Sequence, residues 1–524
     1  MAQIKKRESW GSRLGVIMAV AGSAIGLGNF LRFPAKAAAN GGGAFMIPYF
    51  ISLLLLGIPL MWIEWTLGRY GGGFEHGTAP GIFHSLWQKN RFIKYFGVIG
   101  IFGPLVILIY YTYIESWTLA YSFFAITGKY ASLTDQASMR SFLSGFQGLE
   151  KNQYFNGLST AYAFFLTTFI LNIWVIYRGI KGGIEKFCKW ALGILFIFGF
   201  LLMARVLLLG APNPALPAWN VYNGLGFLWN PDFSALKSAK VWLEAAGQIF
   251  FTLSVGIGVI LTYASYLKKG DDIVLSGLTA SAMNEFAEVI LGGSIVITAA
   301  FVFFGPVDIQ SIAKSGVFNL GFVTMPLILN KLPLAGLFGF MWFFLLFLAG
   351  ITSSVSLAQP AVAFLEDEFN INRKKAVSIL AIAAFIFCQP VIFFLGHGVV
   401  DELDFWGGTF FLVIFATIEI ILFAWVFGME KAWDEIHRGA DMAVPGVYKF
   451  IIKYITPLFL FVILGMWFAQ EWLPKIMMKN VSGADKPFVL GTRLGLLLIF
   501  AILAVLVKIA WGRRKKRGKE KNEI

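Results

Sequence analysis

Ser23-Ala24-Ile25-Gly26-Leu27-Gly28-Asn29 and Leu253-Ser254-Val255-Gly256-Ile257-Gly258 carry the same small-x-Gly-x-Gly core. Gly26 and Gly256 are 230 residues apart, and so are Gly28 and Gly258. Each core lies in the middle of an apolar run long enough to cross roughly 30 Å of hydrocarbon. A glycine weakens a helix interior by up to about 1 kcal/mol, so two together invite the helix to unwind. Packing through small residues is the alternative reading of a single such core. A matched pair at fixed spacing favours two broken spans. Five spans would fit between the starts of the two. Five is odd, so the second unit enters the membrane from the opposite side, the inverted-repeat plan of secondary transporters.

Composition supports the same frame. Of 524 residues 58% are hydrophobic and only 14% charged, against roughly 25% charged in a soluble domain. Mean hydropathy is +0.72. A water-soluble fold cannot hide that much apolar surface. The runs do not alternate as barrel strands do, so the spans are helices, whose backbone bonds close internally. Cys188 and Cys388 both sit in apolar stretches and read as buried thiols. His76, His84, His397 and His437 are scattered and form no metal motif, so the sequence offers no enzyme centre.

Twelve spans are expected, near 12–38, 43–70, 91–127, 159–177, 184–208, 239–267, 272–305, 333–367, 374–395, 402–427, 446–473 and 489–511. The first repeat would occupy 12–208 and the second 239–427. Residues 446–511 would add two spans, and 512–524 a basic cytoplasmic tail. Lys5, Lys6 and Arg7 before an apolar run imitate a secretory signal, but the run continues to Pro34 and we expect no cleavage. The net charge of +14 is explained by topology rather than by nucleic acid. Basic clusters at Lys5–Arg7, Arg178–Lys189, Lys268–Lys269, Arg373–Lys375 and Arg513–Arg517 fall at the termini and in every second connection, all on one side, which is expected to place both termini in the cytoplasm. The expectation is a multi-pass protein of the plasma (inner) membrane with the lipid bilayer as its solvent.

Ionisable residues at membrane depth are costly and mark function or internal pairing. Here they are Arg32, Glu64, Glu115, Glu244, Glu285, Glu288, Asp404 and Glu419. Hydroxyls and amides gather near the breaks: Asn29, Thr252, Ser254, Asn284, Thr352, Ser353 and Ser354. Such neutral oxygens, with carbonyls freed by unwinding, suit sodium. The N–H groups at a broken end suit a carboxylate.

Longer stretches then carry a family resemblance. They include Trp10-Gly11-Ser12-Arg13, Gly26-Leu27-Gly28-Asn29-Phe30-Leu31-Arg32-Phe33-Pro34, Asn40-Gly41-Gly42-Gly43-Ala44-Phe45 and Tyr110-Tyr111. Gly247-Gln248-Ile249-Phe250-Phe251-Thr252-Leu253-Ser254, Leu275-Ser276-Gly277-Leu278-Thr279 and Ala349-Gly350-Ile351-Thr352-Ser353-Ser354 continue them. Over essentially all twelve spans the sequence resembles the neurotransmitter:sodium symporter family, in its bacterial leucine-transporter branch. The resemblance implies an all-α membrane protein with a 5+5 inverted repeat, helices one and six broken.

It further implies two sodium ions. One would meet Asn29, Thr252, Asn284, the Ala24 carbonyl and the substrate carboxylate. The other would meet carbonyls of Gly22, Ile25 and Ala349 with the hydroxyls of Thr352 and Ser353. An amino-acid substrate would place its carboxylate on the Leu27 and Gly28 N–H groups and Tyr111. Its ammonium would meet carbonyls of Ala24, Phe251 and Thr252 and the Ser254 hydroxyl. Its side chain would lie among Ile107, Tyr111, Phe251, Ile257, Ser353 and Leu357. Arg32 and Asp404 would form an outer gate, with Tyr111 and Phe251 as lid. Arg7 and Asp367 would pair at an inner gate beside Trp10, Ser265 and Tyr266.

Three departures refine this. Monoamine carriers of the family have Asp where Gly26 stands, so the substrate here is expected to bring its own carboxylate. By the resemblance Ile257 stands where the leucine-transporter branch has Phe and Ile107 where it has Val, which leaves leucine, isoleucine, valine, methionine and alanine unranked. Glu288 stands where chloride-dependent members have Ser. Beside Tyr49, Gln248, Thr252 and Asn284 it would supply the charge that chloride supplies elsewhere. The expectation is a chloride-independent, sodium-coupled importer of small to medium apolar amino acids, working by alternating access and leaving a homodimer open. An amino-acid-binding membrane sensor and a proton-coupled carrier stay as alternatives. A channel would need a continuous polar path, which the aromatic lid and charged gates oppose.

Overall fold

The computed structural model describes residues 8–522, and among these there is no strand beyond the single bridge Gly42–Pro231. The first span is two helices, Arg13–Ala24 and Leu27–Ala39, bent by 56°. Gly43–Gly72, Ile93–Ile126, Ser159–Tyr177 and Ile180–Leu207 follow as spans two to five. The sixth is again two pieces, Ala239–Thr252 and Val259–Ala264. Val274–Lys314, Ala335–Phe369, Arg373–Phe393, Val399–His437, Val447–Gln470 and Lys486–Arg514 complete the twelve.

Each break has a local cause. The first helix ends where the Ile25 N–H reaches the Ala21 carbonyl at 2.7 Å. Gly26 is then extended, and its N–H is accepted by Asn29 Oδ1 at 2.8 Å, which starts the next helix. In the sixth span Ser254, Gly256 and Gly258 all take positive φ, at 54°, 74° and 90°. Glycine adopts that region freely, but Ser254 does not, and its strain marks the break as a built feature. Glu64 of the second span accepts the Gly256 N–H and holds the unwound segment.

Packing sorts the spans. The broken first and sixth spans are buried almost throughout, and among the unbroken spans the third and seventh are the most enclosed. The fourth, fifth, ninth, eleventh and twelfth turn residues such as Ile170, Trp190, Ile382 and Leu497 outward. Exposed apolar faces of that extent fit lipid, not water. The second span lies directly on the second half of the sixth: a Cβ on Gly68 would sit 2.3 Å from the Leu261 carbonyl oxygen.

The third span opens with a one-turn helix Ile93–Phe96, and Gly97 packs on the Ala79–Pro80 backbone before the long helix Ile99–Ile126. One boundary differs from the sequence reading. The seventh helix turns sharply at Gly305, φ 78°, where Trp219 covers the bend, and then runs on to Lys314. The connections 128–158, 209–238 and 306–332 hold the short helices Gln136–Phe146, Val221–Trp229 and Val317–Asn330.

Candidate functional site

The two breaks meet at one cavity of about 40 Å³, room for about three waters. Ala24, Gly28, Asn29, Ile107, Tyr111, Phe251, Ser254, Ile257, Ser353 and Leu357 line it. Leu27 and Thr252 do not line it. The Leu27 N–H donates instead to the Tyr111 hydroxyl at 3.0 Å. Gly26 lines it too, and Ser23 joins the lining unforeseen. The Ser23 carbonyl accepts from Ser254 Oγ and from Ser353 Oγ, both at 3.1 Å, so it ties spans one, six and eight together. Only backbone placement reveals a carbonyl of this kind.

Beside the cavity, oxygens crowd in two places. One end of the Asn284 amide lies 2.8 Å from Asn29 Nδ2, 3.1 Å from the Ala24 carbonyl and 3.2 Å from the Thr252 carbonyl. With oxygen at that end, three acceptors face one another. With nitrogen there, two amide donors collide. A cation among these oxygens removes the conflict. Asn29, Thr252, Asn284 and the Ala24 carbonyl therefore fit a sodium ion by their donor chemistry.

The second place is at the eighth span. Ser353 Oγ has the carbonyls of Gly22, Ser23 and Ala349 at 3.4, 3.1 and 3.1 Å. Thr352 Oγ1 reaches the Ala349 carbonyl at 3.1 Å. One hydroxyl proton cannot serve three acceptors, so this set also suits a cation. Ile25 is the buried cap of the first helix, adjacent in the chain to Ala24. Among the described residues no group of three His, Cys, Asp or Glu could hold a metal, so any ion here depends on neutral oxygens.

Glu288 is fully buried and accepts from the Gln248 amide and the Thr252 hydroxyl. Tyr49 lies within reach of both Glu288 and Glu285. Tyr49 donates to Glu285 at 2.6 Å, one helical turn before Glu288, and Asn284 Nδ2 bonds Thr252 Oγ1 at 2.9 Å. Thr252 thus bridges the two features, its carbonyl at the first oxygen cluster and its hydroxyl on Glu288.

At the edge of the cavity, Phe251 lies over Gly28, and the Arg32 guanidinium sits 4.2 Å from the Phe251 ring centroid. No ion pair within 4.0 Å joins Arg32 to Asp404 among the described residues. Asp404 instead accepts from Tyr110 at 2.7 Å. The outer cover is thus a cation on an aromatic ring, which a sequence pairing of opposite charges does not anticipate.

At the N-terminal end of the first span Trp10 donates to the Tyr263 carbonyl at 2.9 Å and packs edge-on against its ring. Tyr266 accepts from Gln359 at 2.8 Å, and Gln359 accepts from Arg373 at 2.9 Å. Ser265 donates to the Thr262 carbonyl at 2.6 Å. Asp367 lies at the end of the eighth span, and Arg7 lies outside the described residues. Glu185 of the fifth span accepts from Gly11 N–H and Ser12, and Arg13 pairs with Asp272 at 2.7 Å. The entrance of the first span is therefore tied to spans five, six and seven.

Over residues 7–136 and 130–510 the chain matches the Sodium:neurotransmitter symporter family. An uncharacterized sodium-dependent transporter of Methanocaldococcus jannaschii is 32% identical over 513 residues, 96% of this chain and 98% of that protein. A sodium-dependent nutrient amino acid transporter 1 of Drosophila erecta is 26% identical over 518 residues, 87% of this chain and 77% of that one. The crystal structure of MhsT in complex with L-phenylalanine superposes with a TM-score of 0.74 at 29% identity, over 87% of this chain and 99% of MhsT.

Proposed function

The chain belongs to the sodium:neurotransmitter symporter family, and from that premise we propose that it imports small to medium apolar α-amino acids together with two sodium ions. It is a multi-pass membrane transporter that uses sodium, and not an enzyme. One observation carries the finer reading: two clusters of neutral oxygens flank one cavity at the meeting of both breaks. Ile107, Ile257 and Leu357 give that cavity apolar walls, and Tyr111, whose hydroxyl accepts from the Leu27 N–H, would with the Gly28 N–H meet the substrate carboxylate. Asn29, Thr252, Asn284 and Ala24 would hold one ion, and Gly22, Ile25, Ala349, Thr352 and Ser353 the other. Sodium supplies the positive charge beside which a substrate carboxylate can be buried. The side chains position both, and the covers at Phe251 and Trp10 exclude water from alternate sides.

Glu288 supplies a fixed negative charge next to Thr252, so transport needs no chloride. The alternatives are a proton-coupled carrier and a sensor that binds without transport. Binding of a labelled amino-acid panel to purified protein in sodium and in potassium, followed by uptake into proteoliposomes, tests all three. Sodium-dependent binding with uptake supports the symporter. Binding indifferent to sodium sinks it, and binding without uptake leaves the sensor.

A further inference from the structure

Glu115 takes no part in the cavity or in either oxygen cluster. It lies on the third span one helical turn after Tyr111 and is completely buried. Ser354 Oγ of the eighth span is 2.6 Å from Glu115 Oε2 and 2.7 Å from Asn172 Oδ1 of the fourth span. Asn172 Nδ2 faces Glu115 Oε1 at 3.1 Å and the Thr168 carbonyl at 3.1 Å. Among the described residues no Lys, Arg or His pairs with this carboxyl.

Counting protons decides its state. Ser354 has one hydroxyl proton for two short contacts to acceptors. If that proton goes to Asn172, the contact with Glu115 lacks one. Turning the Asn172 amide round does not help. Its oxygen would then face both Glu115 oxygens and the Thr168 carbonyl. In either orientation a proton is missing, and a carboxyl is the group in the triad able to carry it. A charged carboxylate without a cation would in addition be expensive at membrane depth.

We propose that Glu115 is a neutral carboxylic acid that donates to Ser354 and so positions the sodium-binding face of the eighth span. Ser354 directly follows Thr352 and Ser353. Gly350 makes room for the contact, since a Cβ there would sit 2.8 Å from Glu115 Cγ. Asn172 anchors the same point to the fourth span. The positioning role rests on the sodium-coupled reading above, whereas the protonation does not.

The test combines infrared spectroscopy with sodium titration of amino-acid binding on the full-length protein. A protonated-carboxyl C=O band is expected in the wild-type spectrum and absent from Glu115→Gln. Gln can donate and accept at the same two places. Its sodium midpoint is therefore expected within about threefold of wild type, whereas removing a buried negative charge near a cation would raise it tenfold or more. Glu115→Leu can do neither, and its midpoint is expected to rise about tenfold, with Gln restoring it.

A wild-type spectrum without the band overturns neutrality, as does a rise beyond threefold in Glu115→Gln. A wild-type midpoint in Glu115→Leu overturns the positioning role. Should Glu115→Gln fail to fold, Ser354→Ala decides. A neutral acid that loses this acceptor keeps its C=O band and shifts it upward, and an unshifted spectrum overturns the proposal. If wild-type binding ignores sodium, the family-based function fails while the infrared result still stands.

Discussion

At the scale of single residues, the cavity is defined as much by what is missing as by what lines it. A Cβ at Gly26 would lie 2.9 Å from Ser353 Oγ and 3.0 Å from the Tyr111 hydroxyl. An Asp there would bring a carboxylate to the place proposed for the substrate's own. Two like charges a few ångströms apart cost several kcal/mol at an effective dielectric near 20. Gly26→Asp is therefore expected to weaken binding of labelled apolar amino acids by at least about a hundredfold. Unchanged binding would show that the carboxylate lies elsewhere. Thr352→Ala removes one neutral oxygen from the second cluster. Its sodium midpoint is expected to rise about tenfold, read by the same titration, while binding at saturating sodium recovers.

At the scale of elements, the ties at the N-terminal end of the first span are proposed to hold that end closed. Cys188 of the fifth span is buried, and a Cβ on Gly22 would sit 3.3 Å from its sulfur. The first helix therefore shields that thiol. In a Cys388→Ala background, Trp10→Ala loses the Tyr263 hydrogen bond and ring contact, and Cys188 labelling by a polar thiol reagent is expected to accelerate. Labelling at the wild-type rate would mean that Trp10 does not hold the gate. Asp272 lies just outside the seventh span. Burial pushes its carboxyl up, but N–H groups of Asp441, Ser276 and Leu275 and the Ser276 hydroxyl outweigh that and hold it below 3.8. Its contribution to stability is present above that value and lost as pH falls through the lower folded one. The difference in melting temperature between wild type and Asp272→Asn is expected to shrink only in that acidic window. These elements also show what the sequence could tell. The glycine pairs at 26/28 and 256/258 announced both breaks, because unwinding is a local property of backbone freedom. The cavity walls followed from residues whose types and spacing match a family pattern. The Ser23 carbonyl, the Tyr49–Glu285 bond and the seat of Arg32 on Phe251 did not follow. Each depends on where two distant spans place a backbone atom or rotamer, and no local pattern encodes that.

At the scale of the whole molecule, coupling becomes arithmetic. Two sodium ions entering with a zwitterion move two charges, each gaining about 2.3 kcal/mol per 100 mV. A tenfold sodium gradient adds about 1.4 kcal/mol per ion, so together they supply roughly 7 kcal/mol and could sustain an accumulation of about 10⁵. Whether the return step carries a proton on Glu288 changes the charge and not the sodium count. With two charges per cycle, a tenfold substrate gradient is expected to shift the reversal potential of the transport current by about 30 mV, and a tenfold sodium gradient by about 60 mV. With a proton returning, one net charge moves, and the two shifts become about 60 and about 120 mV. A single-sodium carrier would give about 60 mV for both. Currents from proteoliposomes at clamped potential separate the three cases. Glu288→Gln then separates cause from coincidence. If Glu288 returns the proton, this variant must convert the 60 and 120 mV pattern into the 30 and 60 mV one. If Glu288 serves only as fixed charge beside Thr252, wild type already shows the smaller pair, independent of pH, and Glu288→Ser is expected to make uptake respond to chloride.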